Sequence, residues 1–217
     1  LHLGISYITA YGGLVWRAGL KPGETLLVLA AAGAVGLAAV EIGKALGAHV
    51  IGAAGGAKKC AVVTAHGAQA AIDYSAVKLR EEAERLTEGR GVDVVFDPVG
   101  GSQSDAAMRT LVPGGRHVVI GFASGNIPQI PANILLVKNI SVLGLNVGTY
   151  VGWATNDQRA RYEPLMRAAF ERIFGWHVEG KLQPTMSEAF PLEAYAEAQD
   201  AILARRSIGK VALKINA

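Results

Sequence analysis

The sequence predicts an α/β protein built on a doubly wound, six-stranded parallel sheet. Three observations carry that expectation. Short apolar runs alternate with helical patterns across residues 26–145. The runs lack the polar alternation of a half-exposed strand, as strands covered on both faces should. They also fall into two groups of three separated by crossovers, the pattern of two βαβαβ halves.

The first run, Leu26-Leu27-Val28-Leu29-Ala30, reads as a buried strand, followed by a Gly-Ala turn and a helix over 35–46. His49-Val50-Ile51-Gly52-Ala53 is the next strand and 57–65 the next helix, with Ala70-Ala71-Ile72-Asp73-Tyr74 the third strand. Leu79, Ala83 and Leu86 then recur at helical spacing, in a helix stopping near Gly89. The second half repeats the alternation: a strand over 92–97, a helix over 102–111, a strand over 117–122, a short helix over 132–138 and a strand over 140–145. Beyond this unit, a long helical pattern over 157–177 leads through the stretch 184–191 to a helix over 192–205. A strand over 210–215 closes the chain. The expected organisation is a dinucleotide-binding unit over 1–150 and C-terminal helices and a strand over 151–217.

Composition narrows the function classes. Of the 217 residues, 51% are hydrophobic and 18% charged, a balance suited to a packed core rather than a disordered chain. The net charge of +3 is small and the basic residues are dispersed, so nucleic acid is not an expected partner. The apolar run over 26–40 is shorter than the roughly 20 residues of a membrane span. The single Cys60 cannot close an intramolecular disulfide and reads as a small core residue; the expected compartment is the cytoplasm. His2, His49, His66, His117 and His177 are scattered, so no metal site is expected. Leu192, Tyr195 and Ile202 read as a helical core stripe.

The chemistry lies at the strand ends. The first turn, Ala31-Ala32-Gly33-Ala34-Val35-Gly36, follows a strand and opens a helix, and it matches G-x-G-x-x-G with Ala31 in the first glycine position. Small residues there let a pyrophosphate approach the N–H groups of a helix N-terminus. The same turn also serves close helix–strand packing. After the second strand comes Ala53-Ala54-Gly55-Gly56-Ala57-Lys58-Lys59, without the acid that would hold the adenosine ribose of NAD. Lysines in its place attract a 2′-phosphate, so the reading is NADP(H) over NAD(H); two solvated lysines at a helix start are the alternative. The turns at Asp97-Pro98-Val99-Gly100-Gly101 and Gly121-Phe122-Ala123-Ser124-Gly125 should face the other half of the ligand.

With these motifs, Gly19-Leu20-Lys21-Pro22-Gly23-Glu24, Gly89-Arg90-Gly91-Val92-Asp93, Phe190-Pro191-Leu192-Glu193 and Gly209-Lys210-Val211, the chain resembles a known family nearly end to end. It is the zinc-independent quinone oxidoreductase (zeta-crystallin-like) branch of the medium-chain dehydrogenase/reductase superfamily. The resemblance implies a Rossmann fold binding NADPH, and hydride transfer to quinones or other α,β-unsaturated carbonyls. It places Gly55, Lys59 and Tyr74 around the 2′-phosphate and Gly33, Ala34 and Val35 at the pyrophosphate. Thr9, Phe122, Ser124, Leu145 and Asn146 fall on the nicotinamide side. Ala34 departs from the family's usual glycine, and Ile5 stands where zinc-dependent relatives carry a cysteine ligand.

The resemblance also implies that the chain is the coenzyme-binding part, with the C-terminal return to a mostly absent GroES-like catalytic domain. A fragment of that kind is expected to bind cofactor and to be weakly active or inactive. Enoyl-thioester reduction, alcohol dehydrogenation and a non-catalytic NADPH-binding module remain the alternatives, and no catalytic acid is named. The strand over 140–145 should lie at a sheet edge, where unpaired apolar backbone favours a homodimer.

Overall fold

The computed structural model describes residues 3–153 and 155–215; His2 lies outside them. Strands β1 (Thr25–Val28), β2 (His49–Ala54), β3 (Ala70–Asp73), β4 (Val92–Asp97), β5 (Leu111–Val119) and β6 (Ser141–Gly144) form one sheet in the order β3-β2-β1-β4-β5-β6. Every pairing is parallel, with Leu26 beside Val50 on one side and Val94 on the other. The order reverses between β1 and β4, so crossovers leave a crevice there at the carboxyl ends.

Alternate residues of each strand enter opposite cores, following the two-residue repeat of a pleated strand. Leu26, Val28, Val50 and Phe96 pack on one face beneath α1 (Ile8–Tyr11), α2 (Ala34–Ala45) and α3 (Ala57–Ala65). Leu27, Leu29, Ile51 and Val95 pack on the other, beneath α4 (Leu79–Leu86), α5 (Gly101–Arg109) and α6 (Ala132–Lys138). Because β1, β2 and β4 are covered on both faces, their sequences are apolar apart from Thr25, His49, Asp93 and Asp97.

The long helix α7 (Arg159–Val178) packs on the first face, where Ile173 and Trp176 are fully buried. Strands β7 (Met186–Pro191) and β8 (Lys210–Lys214) form a separate parallel pair, with α8 (Tyr195–Leu203) between them in sequence.

The structure departs from the sequence expectations in four places. The fifth strand starts at Leu111 rather than at His117, and the preceding helix stops at Arg109. Pro113-Gly114-Gly115, which looks like a turn, sits instead in a bulge between the Val92–Leu111 and Val94–Arg116 pairs. Second, the stretch 184–191 contains β7. Third, residues 3–17, to which the sequence pattern assigns no element, form a helical run, with π-type turns at Leu3–Tyr7 and Gly12–Arg17 around α1.

The fourth correction concerns Leu192, Tyr195 and Ile202, which are exposed; Ala198 and Ala201 are the residues that α8 buries. Small side chains let this helix lie close to its neighbours, so its inner face is alanine rather than leucine. Cys60 is half-buried against the first core.

Candidate functional site

At the sheet's reversal point, the carboxyl ends of β1 and β2, the turn after β4 and the chain after α8 enclose a cleft of about 500 Å³. Gly33, Gly55, Lys59, Tyr74 and Ser124 line it, with Val99, Ile202, Leu203, Arg205 and Ser207 completing the walls.

The floor is the turn between β1 and α2. Gly33 precedes the helix in an extended conformation and donates its N–H to the Ala30 carbonyl. Ala34 and Val35 open α2, and no side chain caps its N-terminus. The first-turn N–H groups of a helix lack intrahelical acceptors and carry a partial positive charge, which suits an anion. Gly36 is required for a different reason: a Cβ there would meet the Ala30 carbonyl oxygen at 2.3 Å and Ala31 Cα at 2.7 Å. The turn holds its helix tightly against β1, with Ala30 itself at φ +46°.

At one end of the cleft the two cations come together. Lys59, in the first turns of α3, donates Nζ to the Arg205 carbonyl at 2.5 Å, 146 residues away. An ammonium has three donors, so two remain for a ligand. Tyr74 lies against Gly55, where a Cβ would come within 3.1 Å of the ring. Burial pushes the Tyr74 phenol up, against the pull of the Arg205 charge. None of the lining residues is acidic. Asp73, just before Tyr74, accepts from the Ser75 hydroxyl and from the Ser75 and Gly56 N–H groups, which hold its carboxyl below the usual range.

At the end of β4, Asp97 is fully buried and shapes the turn that carries Val99. Its Oδ1 accepts the N–H groups of Val99 (2.8 Å) and Gly100 (2.9 Å), and its Oδ2 meets His117 Nε2 at 2.9 Å. Burial raises the Asp97 pKa, but the bonds from His117, Ser104 and Gly100 outweigh it, and the carboxyl lies below its ordinary value. His117 Nδ1 has no partner among the described residues. The Nε2–H tautomer serves Asp97 and leaves a bare lone pair at Nδ1, which costs less to leave unmet than an N–H.

Of the residues singled out in the sequence, Thr9, Ala34, Val35, Phe122, Leu145 and Asn146 do not line this cleft, although Ala34 and Val35 open α2 directly after the lining residue Gly33. The Thr9 hydroxyl donates to the Ile5 carbonyl, Asn146 Oδ1 accepts from Gly148 N, Leu145 is buried and Phe122 is exposed. Arg205, Ile202, Leu203 and Ser207 were missed. The signal available for them was the pair Arg205-Arg206 directly after a helix, four residues before Gly209.

A parallel sheet that reverses at a glycine turn, with a cationic end and an acid-free lining, defines a dinucleotide-binding domain of the Rossmann type. Residues 34–169 match the family described as zinc-binding dehydrogenase. A quinone oxidoreductase-like protein 2 homolog from Nematostella vectensis is 42% identical over 97% of this chain, and its counterpart from Bos taurus 41% over 98%. The chain spans 56% and 59% of the length of these two relatives.

Among solved structures, Escherichia coli quinone oxidoreductase complexed with NADPH superposes with a TM-score of 0.84 at 28% identity, covering 96% of this chain and 62% of that one. CurA from Vibrio vulnificus in complex with NADPH gives 0.83 at 30%, over 99% and 64%. The chain belongs to the zinc-binding dehydrogenase family, in the quinone oxidoreductase-like branch of the medium-chain dehydrogenases/reductases. Among the described residues, no three of His, Cys, Asp or Glu are grouped to hold a metal ion, and no helix is long and apolar enough to cross a membrane.

Proposed function

We propose that this chain is the coenzyme-binding part of an NADPH-dependent oxidoreductase that reduces quinones or other α,β-unsaturated carbonyls. The observation that carries the reading is the convergence of Lys59 and Arg205 on Gly55 and Tyr74 in a cleft lined by no acid. A 2′-phosphate is a dianion that two cations attract and a carboxylate would repel, so this end favours NADPH over NADH.

The cleft suits the cofactor in its other parts as well. Gly33, whose own N–H is held by the Ala30 carbonyl, lets the pyrophosphate approach the open N–H groups of Ala34 and Val35, and Val99 and Ser124 provide the wall beyond it. Bound NADPH supplies a hydride from its nicotinamide ring. The protein contributes orientation and exclusion of water, which raise the frequency of productive alignment. Thr9, Phe122, Leu145 and Asn146 are assigned to the nicotinamide side from the family resemblance. The β6 edge, with Leu136 and Val137 exposed on α6 beside it, is the proposed homodimer contact. A monomeric mass by light scattering at micromolar concentration would rule that contact out.

Calorimetric titration with NADPH and NADH tests the cofactor reading. NADPH should bind more tightly, and Lys59→Ala should weaken NADPH by about tenfold while leaving NADH within about twofold. Equal affinities in the wild type would overturn it.

A further inference from the structure

A second group of polar side chains lies away from the cleft. Glu41, on the buried side of α2, is 2% exposed. Its Oε2 accepts the Tyr7 hydroxyl at 2.6 Å and the Gln183 N–H at 3.0 Å, and its Oε1 meets His66 Nδ1 at 2.6 Å. On the far side of the ring, His66 Nε2 meets the Thr185 hydroxyl at 3.0 Å. An ionised carboxylate only accepts, so the Nδ1 proton points to Glu41, and Nε2 is left to engage Thr185. The segment 183–185 is therefore tied twice to α2 and the end of α3.

Thr185 in turn touches the segment that closes the cleft. Its carbonyl accepts from Lys210 N at 3.2 Å, and Met186 bridges to Gly209. Gly209 donates its N–H to the Ala32 carbonyl at 2.8 Å and bridges to Gly33, in the dinucleotide turn itself. The approach is close. Gly209 sits at φ +66°, and a Cβ there would lie 2.4 Å from the Thr185 carbonyl oxygen, so no other residue fits without movement. Residues 205–209 thus cross from the Lys59 contact to the dinucleotide turn as a strap, and Arg205 reaches the cleft from that strap.

We propose that His66 and Thr185 are positioning residues: anchored on Glu41, they hold the strap at 205–209 in register with the dinucleotide turn and so set the preference for NADPH. The inference rests on the assignment of the cationic end to the 2′-phosphate. Neither side chain lines the cleft. Their effect passes through Thr185 and Gly209 to Arg205, so it should fall on the phosphate end and spare the rest of the dinucleotide.

The test uses the full chain, Thr185→Val, Thr185→Ser and His66→Asn. Valine keeps the shape of threonine and removes the hydroxyl; asparagine keeps a donor near the Nδ1 position, towards Glu41, and vacates the Nε2 position. Binding of NADPH and NADH is titrated for each, and amide hydrogen exchange is followed at Gly209. Thr185→Val and His66→Asn should each weaken NADPH about fivefold, leave NADH within about twofold and speed exchange at Gly209, while Thr185→Ser retains wild-type behaviour. If both cofactors weaken equally, or neither changes, or exchange at Gly209 does not move, the inference is overturned. A preference for NADPH that survives both variants but disappears in Lys59→Ala would overturn this inference and leave the cofactor reading standing. A wild type without that preference would bring down both.

Discussion

Asp97 and His117 face each other from the paired strands β4 and β5, inside one sheet, whereas Glu41 and His66 join two helices and reach a segment more than a hundred residues further on. Both are carboxylate–imidazole pairs, one fully and the other partly buried, and their second nitrogens differ. His66 has Thr185 on its far side; His117 Nδ1 has no partner among the described residues. One pair therefore has a fallback in its hydrogen bonding and the other has none. The same two side chains can brace a sheet rigidly or link layers adaptably, depending on what lies behind the ring.

The largest expected effect comes from emptying the rigid pair. Asp97→Ala removes the acceptor for two backbone N–H groups and for His117, and should cost about 3–5 kcal/mol in urea unfolding. Asp97→Asn separates shape from charge. An amide donating to His117 Nε2 forces the ring proton to Nδ1, where it is buried without an acceptor, so a loss of about 1–3 kcal/mol is expected.

Acid sharpens the same point. The Asp97 carboxyl titrates lower in the folded chain than unfolded, so its contribution is complete above about pH 4 and fades as the pH falls through the folded value. In Asp97→Asn the loss of stability below about pH 4 should be shallower than in the wild type.

Glu41→Gln should behave differently. The oxygen of the new carboxamide can still accept from Tyr7 and Gln183, its NH₂ group can donate to Nδ1, and the displaced ring proton on Nε2 finds the Thr185 hydroxyl. The expected cost is below about 1 kcal/mol, with NADPH preference retained. A loss as large as that of Asp97→Asn would break the distinction between the pairs.

The smallest effect serves as a control. Ala30 carries a left-handed backbone in the dinucleotide turn, away from both pairs, so Ala30→Gly should be stabilising by up to about 1 kcal/mol and additive with either change.

These differences explain what the sequence could and could not show. Strands β1, β2 and β4 were legible because burial on both faces favours apolar residues over most of their length, and the turn at Gly33 because strand, small residues and helix follow one another in sequence. The start of β5 was hidden because a bulge absorbs Pro113 and its glycines, which locally resemble a turn. The strand β7 was hidden because its pairing is with β8, beyond an intervening helix. The inner face of α8 is alanine, so a search for large apolar residues selected its exposed side. Arg205 and the anchor through Thr185 depend on contacts between distant segments, and spacing along the chain does not encode those.

The contact between Lys59 and the Arg205 carbonyl also has a consequence in time. A ribosome adding about 5–20 residues per second places Arg205 roughly 7–30 s after Lys59. Through that interval β1, β2 and the dinucleotide turn can already pair, but the phosphate end has only one of its cations. A nascent chain should therefore meet the cellular nucleotide pool first as a poor discriminator, and gain its selectivity only once Arg205 has followed Lys59.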